Sequence, residues 1–124
     1  MAIGFAAAVV SALVAADGRL LRQLHATRAA EAAAEAAGGV AADRMLELRA
    51  EAIAERRSID IIDAVVADPF VATRAGRAAR EVLVPLHGTL TRLVIARRAD
   101  ELSAKAEVRA FGADGIARVG VRPP

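Results

Sequence analysis

Apolar positions recur at helical spacing through the first half of the chain. Val10, Leu13, Leu20 and Leu24 fall on one stripe, with Asp17 interrupting it, and the run Ala29 to Ala37 continues the helical composition. The pair Gly38-Gly39 reads as a helix stop. Beyond it, Met45, Leu48, Ala52 and the neighbouring Ile53 give a second stripe. Its other face carries Glu47, Glu51 and Glu55 beside Arg44, Arg49 and Arg56, an ordinary solvated surface with i,i+4 pairing. Residues 1–57 are therefore expected to form a helical hairpin.

The middle of the chain, residues 58–85, is helix-rich. In SIDIIDAVVADPF, Ser58, Asp60 and Asp63 suggest a helix start, while Ile61, Ile62, Val65 and Val66 favour a strand. Asp68-Pro69 is cleaner, because an N-cap residue is followed by proline at the first helical position. A helix is expected from Pro69 to about Val84, with Gly76 inside it and Pro85 ending it.

After Pro85 the period changes from helical to alternating. Leu102, Ala104, Ala106, Val108 and Ala110 alternate with Ser103, Lys105, Glu107 and Arg109, the pattern of a half-buried strand. GADG at Gly112 to Gly115 is a turn signal, and IARVGV follows as a partner strand in which Ile116 and Val119 or Val121 pair across the turn. Upstream, TLTRLVIA reads as a further strand, with Arg98 to Glu101 as its turn. Residues 86–124 are thus expected to form an antiparallel meander of three or four strands. The competing reading is one long helix from Thr89 to Ala110, because ARRADELSAKAEVRA has good helix propensity. The fold class follows: an α+β single domain, residues 1–124, with an N-terminal helical hairpin, one or two further helices and a C-terminal β-meander.

Composition refines this picture. Hydrophobic residues make up 56% of the 124, but much of that fraction is alanine and only 2% is aromatic: Phe5, Phe70 and Phe111. The core must therefore form by close approach of small side chains. Lys105 is the only lysine, so the pI near 10.3 reflects arginine rather than a large net charge, which is +2. There is no cysteine, which excludes disulfides, thiol catalysis and Cys-type zinc sites, and fits a reducing compartment. The apolar stretch Ala2 to Ala16 falls short of the roughly 20 residues that span a bilayer, and Asp17, Arg19 and Arg22 follow it. No basic residues precede it as in a signal peptide. A buried helix is expected there rather than a membrane anchor or a pilin-like hydrophobic helix. The location expected is the cytoplasm, or a particle assembled in it.

Candidate chemistry is sparse. His25 and His87 are far apart in sequence, with no acidic spacing that suggests metal ligation, and no phosphate loop, dinucleotide glycine pattern, nucleophile elbow or HExxH is present. No metal, cofactor or small-molecule ligand is implied. Arginines cluster at Arg56-Arg57, at Arg74, Arg77 and Arg80, and at Arg97-Arg98. The middle three recur along roughly one helix face and could hold phosphate, but no aromatic residues interleave for base stacking. Nucleic acid is left open as a partner without positive support.

AVVADPF, Gly76 and the helix RAAREVLVPL resemble the first strand and following helix of the ketosteroid-isomerase-like (SnoaL-like) cone-shaped α+β superfamily. VVSALVAADGRLLRQLHA is similar to that family's opening helix pair, and FGADGIARVGV to its last strand pair. The resemblance covers about half of the chain. It implies a small-molecule pocket, and it aligns Asp68 with the general base of the steroid isomerases, which moves a proton α to a carbonyl. The chain departs from the family in lacking a tyrosine oxyanion donor and pocket aromatics, and Ala29 to Ser58 are helical where the family has a short connection. Read from its own residues, Asp68 is an N-cap, and no catalytic residue is assigned.

The leading functional expectation is a non-catalytic interaction or assembly protein that self-associates, such as a structural component of a phage (virion), pilus-like or secretion particle. Its partners would be copies of itself or other protein subunits, with a membrane partner not expected. The motive is the stripe Ala29 to Ala37, which permits close helix approach and supplies little area for a monomer core. The alternatives are the ketosteroid-isomerase-like binding or isomerase domain and arginine-mediated nucleic-acid binding.

Overall fold

The protein is described here from a computed structural model, covering residues 2–124 and the side chains from Ala15 onward. Its elements are helix α1 (Ala2–Ala54), helix α2 (Ile61–Ala67), helix α3 (Pro69–Leu83), a 3-10 turn (Val84–Leu86), and strands β1 (Gly88–Arg98), β2 (Glu101–Ala110) and β3 (Ala113–Val121). The strands form one antiparallel sheet in the order β1-β2-β3. This is the α+β class, with the meander in place of the competing long helix.

The expected helical hairpin is corrected to one helix of 53 residues, about 80 Å long at 1.5 Å per residue. Gly38-Gly39 does not stop it. Gly38 is buried, and a Cβ there would stand 2.6 Å from Val119 Cγ1, so this glycine is where α1 lies on β3. Each glycine in a helix costs about 1 kcal/mol against alanine; at Gly38 the close packing on β3 offsets it, while Gly39 is exposed with open space where a Cβ would stand. The real terminus is at Arg56. There the backbone turns left-handed at φ 52°, with Arg57 N–H donating to Ala52 O (2.9 Å) and Arg56 N–H to Ile53 O (3.2 Å). That double closure is a Schellman ending with arginine in the place usually taken by glycine.

Helix wins over strand in IIDAVVA. Asp60 caps it, its Oδ1 accepting from Asp63 N–H at 3.0 Å, and the one-turn spacing puts Ile62 and Val65 on a single buried face. The segment AVVADPF, matched by resemblance to a first strand, is therefore the end of α2 and the start of α3. Asp68 begins α3 as expected from Asp-Pro, with Oδ1 accepting from Phe70 N–H at 2.9 Å.

The hydrophobic core is the layer between the sheet and the helices α1 and α3. Leu102, Ala104, Ala106, Val108 and Ala110 of β2 are all buried. At one end of this layer, Ala26, Ala29, Ala30, Ala33 and Ala34 of α1 meet Ala79, Leu83 and Val108. In the middle Ala37 meets Ala75 and Ala104. At the far end Ala41 and Met45 meet Ile62, Val65, Val71 and Leu102. Ile53 lies off this stripe, 67% exposed. Val10 and Leu13 lie outside the described side chains.

The two hairpins differ from expectation in one register. Arg98 to Glu101 turn as anticipated, with Ala99 left-handed at φ 58°. The second turn is Phe111-Gly112 (φ 53° and 75°), with Ala110 paired to Ala113, rather than the four residues GADG. Two consecutive positive φ values define the type I′ geometry that matches strand twist. Ile116 consequently faces Glu107 on the outer side of the sheet and is 58% exposed, while Val119 and Val121 face the core.

Candidate interaction surfaces

Three surfaces and one ion-pair cluster stand out. The first is the N-terminal stretch of α1. Gln23 Nε2 donates to Asp114 O at 2.7 Å and the His25 ring lies 5.5 Å from that of Phe111, so α1 passes the tip of the β2–β3 hairpin at about residue 25. Ahead of that point Leu20, Leu21 and Leu24 are 62%, 58% and 55% exposed. The helix continues N-terminally to Ala2, about 30 Å further on. Among the described residues, no helix is long and apolar enough to cross a membrane.

A second surface is an open trough of about 500 Å³ between α3 and β1. One wall is Val65, Val66, Val71, Ala72 and Gly76; the other is the whole run Leu90 to Ile95. Successive strand residues point to opposite faces. An opening that touches all six must therefore run along the free edge of β1. Thr91 is bulged out of the ladder between Leu90 and Arg92, and its Oγ1 donates to Glu107 O at 2.9 Å.

The third surface brings both histidines to one ring. His25 from α1 and His87 from the left-handed residue before β1 approach Phe111, at centroid distances of 5.5 and 5.8 Å. Sequence separation hid this cluster. Its only sequence signal is that Phe111 occupies the hairpin turn beside Gly112.

Asp68, the residue aligned with a general base, is tied into the frame of the fold. Its Oδ2 accepts from Arg44 Nε at 3.4 Å while Oδ1 caps α3. Arg44 also meets Glu47 at 2.9 Å and Glu51 at 3.5 Å. These acids, led by Glu47, hold its guanidinium pKa above the ordinary arginine value. The bond from α1 to the α2–α3 junction is thus a reason for Asp68 that needs no substrate. Asp68→Ala is expected to cost about 1–2 kcal/mol in denaturant unfolding, and Asp68→Asn less than half of that, since the amide oxygen still caps. Equal costs would show that the Arg44 pair dominates.

The arginine clusters behave differently from one another. Arg97 is held by Asp60 at 2.9 Å and Asp63 at 3.2 Å, which clips α2 to β1, and Arg57 pairs with Glu55 at 2.7 Å. The Asp63 backbone N–H first, and Arg97 second, hold the Asp60 carboxyl below its usual range. Arg74, Arg77 and Arg80 are exposed along α3, and Arg80 folds back over Gly76 toward the trough, 3.6 Å from where a Cβ would stand. Among the described residues, no group of three or more His, Cys, Asp or Glu side chains is placed to hold a metal ion. Comparison with known proteins returns no significant match: no family model, no curated protein and no solved structure.

Proposed function

We propose that this protein is a self-associating subunit of a larger particle, virion-like or pilus-like, assembled through the N-terminal half of α1. The observation that carries the reading is the continuation of α1 beyond the hairpin tip, with Leu20, Leu21 and Leu24 uncovered and the apolar sequence Ala2 to Ala16 still ahead of them. A helix apolar around much of its circumference is stable in water when other helices surround it. The stripe Ala29 to Ala37 is not the surface of association. Ala29, Ala30, Ala33, Ala34 and Ala37 are at most 1% exposed, consumed by the protein's own sheet and α3. The lack of cysteine suits assembly in the reducing cytoplasm.

Sedimentation velocity tests this directly. The full chain should form concentration-dependent oligomers, and the double variant Leu20→Asn, Leu24→Asn should shift association to at least ~10-fold higher concentration, since burying each leucine contributes about 1.5–3 kcal/mol. Both leucines are exposed, so the melting temperature should stay unchanged. A strict monomer at high micromolar concentration sinks the proposal, as does a monomer that oligomerises only on lipid vesicles.

A further inference from the structure

We infer that the trough beside β1 is a docking site for an extended segment of another protein, rich in aliphatic residues and carboxylates, which adds to the sheet as a fourth strand. Three independent features converge on it. β1 is an edge strand, and apart from its ladder with β2 no backbone hydrogen bond to a described residue involves Leu90 to Ile95. Its outward N–H and C=O groups are therefore a row of open donors and acceptors, the template on which strands add. Beyond the bulge at Thr91, the regular row Arg92 to Ile95, four residues at about 3.3 Å each, gives some 13 Å of pairing.

Shape supplies the second feature. Most exposed edges are flanked by solvent, whereas this one is walled by Val65, Val66, Val71 and Ala72 from α2 and α3. An added strand would place alternate side chains into this apolar wall and the others toward solvent.

Charge then selects the occupant. β1 carries Arg92, Arg97 and Arg98 and no acid. Arg80 borders the trough from α3 and Arg92 from the outer face of β1, across from Glu107, and neither makes a salt bridge with an acid among the described residues. The one carboxylate in the lining, Asp68, is already held by Arg44. Pairing of β1 with β1 from a second copy would bring two Arg92 side chains to adjacent positions with no acid of β1 to answer either, so the charge pattern disfavours this protein as its own partner. An acidic strand meets two guanidiniums able to grip carboxylates through paired N–H donors. This inference does not rest on how α1 assembles.

The probe is a capped seven-residue peptide alternating valine and glutamate, titrated into the full chain by calorimetry, with amide hydrogen exchange read by NMR. We expect saturable binding with protection of amides within Leu90 to Ile95. Affinity should fall about tenfold or more for Arg80→Gln with Arg92→Gln. It should also be lost when alternate peptide nitrogens are methylated, which removes backbone donors and leaves the side chains. Both arginines are exposed, so an unchanged melting temperature is the check that the variant is folded. The inference is overturned by no binding, by equal binding of a valine–lysine peptide or of the methylated peptide, or by protection elsewhere than β1. A β1–β1 dimer that excludes the peptide overturns it too.

Discussion

Gly115→Ala is expected to destabilise the protein by about 2–4 kcal/mol, although it adds one methyl group. Gly115 sits on the core face of β3, opposite Val108, directly under α1. A Cβ there would collide with the Ala26 carbonyl group and stand 2.8 Å from Thr27 N. Those are backbone atoms of a helix, so no rotamer change can relieve the clash. α1 would have to lift, and its alanines have no reach with which to maintain contact: Ala26, Ala29, Ala30, Ala33 and Ala34 would all lose dispersion partners together. Gly120→Ala provides the control. Its Cβ would meet only the carboxylate of Glu101, the free end of a flexible side chain, so the cost should stay within about 0.5 kcal/mol. Both substitutions narrow the unfolded ensemble alike, so their difference in urea unfolding reads the folded state. Equal effects would mean that α1 does not rest on β3 at this spot.

A charge at Val108 is expected to have a still larger effect. Val108 is 1% exposed and packs in the cluster of Leu83, Ala79 and Ala30. Val108→Asp would bury a carboxylate without a partner, at a cost of about 4 kcal/mol or more. That is a large share of the roughly 5–15 kcal/mol stability of an ordinary small domain, so the expected result is a steep fall in the unfolding midpoint followed by circular dichroism. Lys105→Asp, three residues earlier, points to the other side of the sheet, where it would stand opposite Arg118. It should change stability by less than about 1 kcal/mol. Glu107→Lys would face Arg92 across the strands and should cost slightly more, within the same bound. Similar sensitivities at Val108 and Lys105 would contradict the alternating strand.

The Asp-Pro start of α3, the alternating strand β2 and the turn at Arg98 to Glu101 could all be read from neighbouring residues, because each is decided within a few positions of itself. A cap needs only its own next turn; alternation needs only its own faces. The misreadings share the opposite property. Gly38-Gly39 has the composition of a stop, and only the presence of Val119 against Gly38 shows that the glycine serves contact instead. GADG carries the glycine and aspartate that turns prefer, yet the chain reverses two residues earlier, at Phe111-Gly112. That earlier register sets Val119 opposite Ala104 and Gly115 opposite Val108, under α1.

Candidate surfaces divide in the same way. Asp68 was legible as a cap, while its bond to Arg44, 24 residues away, was not. His25 and His87 stand apart in the chain and share the ring of Phe111 only because α1 crosses the hairpin tip. The trough has no sequence signature, since its walls come from two helices and the edge of a strand. By itself, the sequence determined the α+β class, the alternation of β2, the start of α3 and the small-residue character of the core, all of which depend on local backbone preference and side-chain size. Tertiary structure alone decided that α1 is a single helix, which alanines are spent inside and which leucines remain outside, and where the sheet keeps an open edge. Those outcomes depend on which distant backbones can approach closely enough to touch, and with alanine and glycine at the contacts that distance is set by the partner surface as much as by the residue itself.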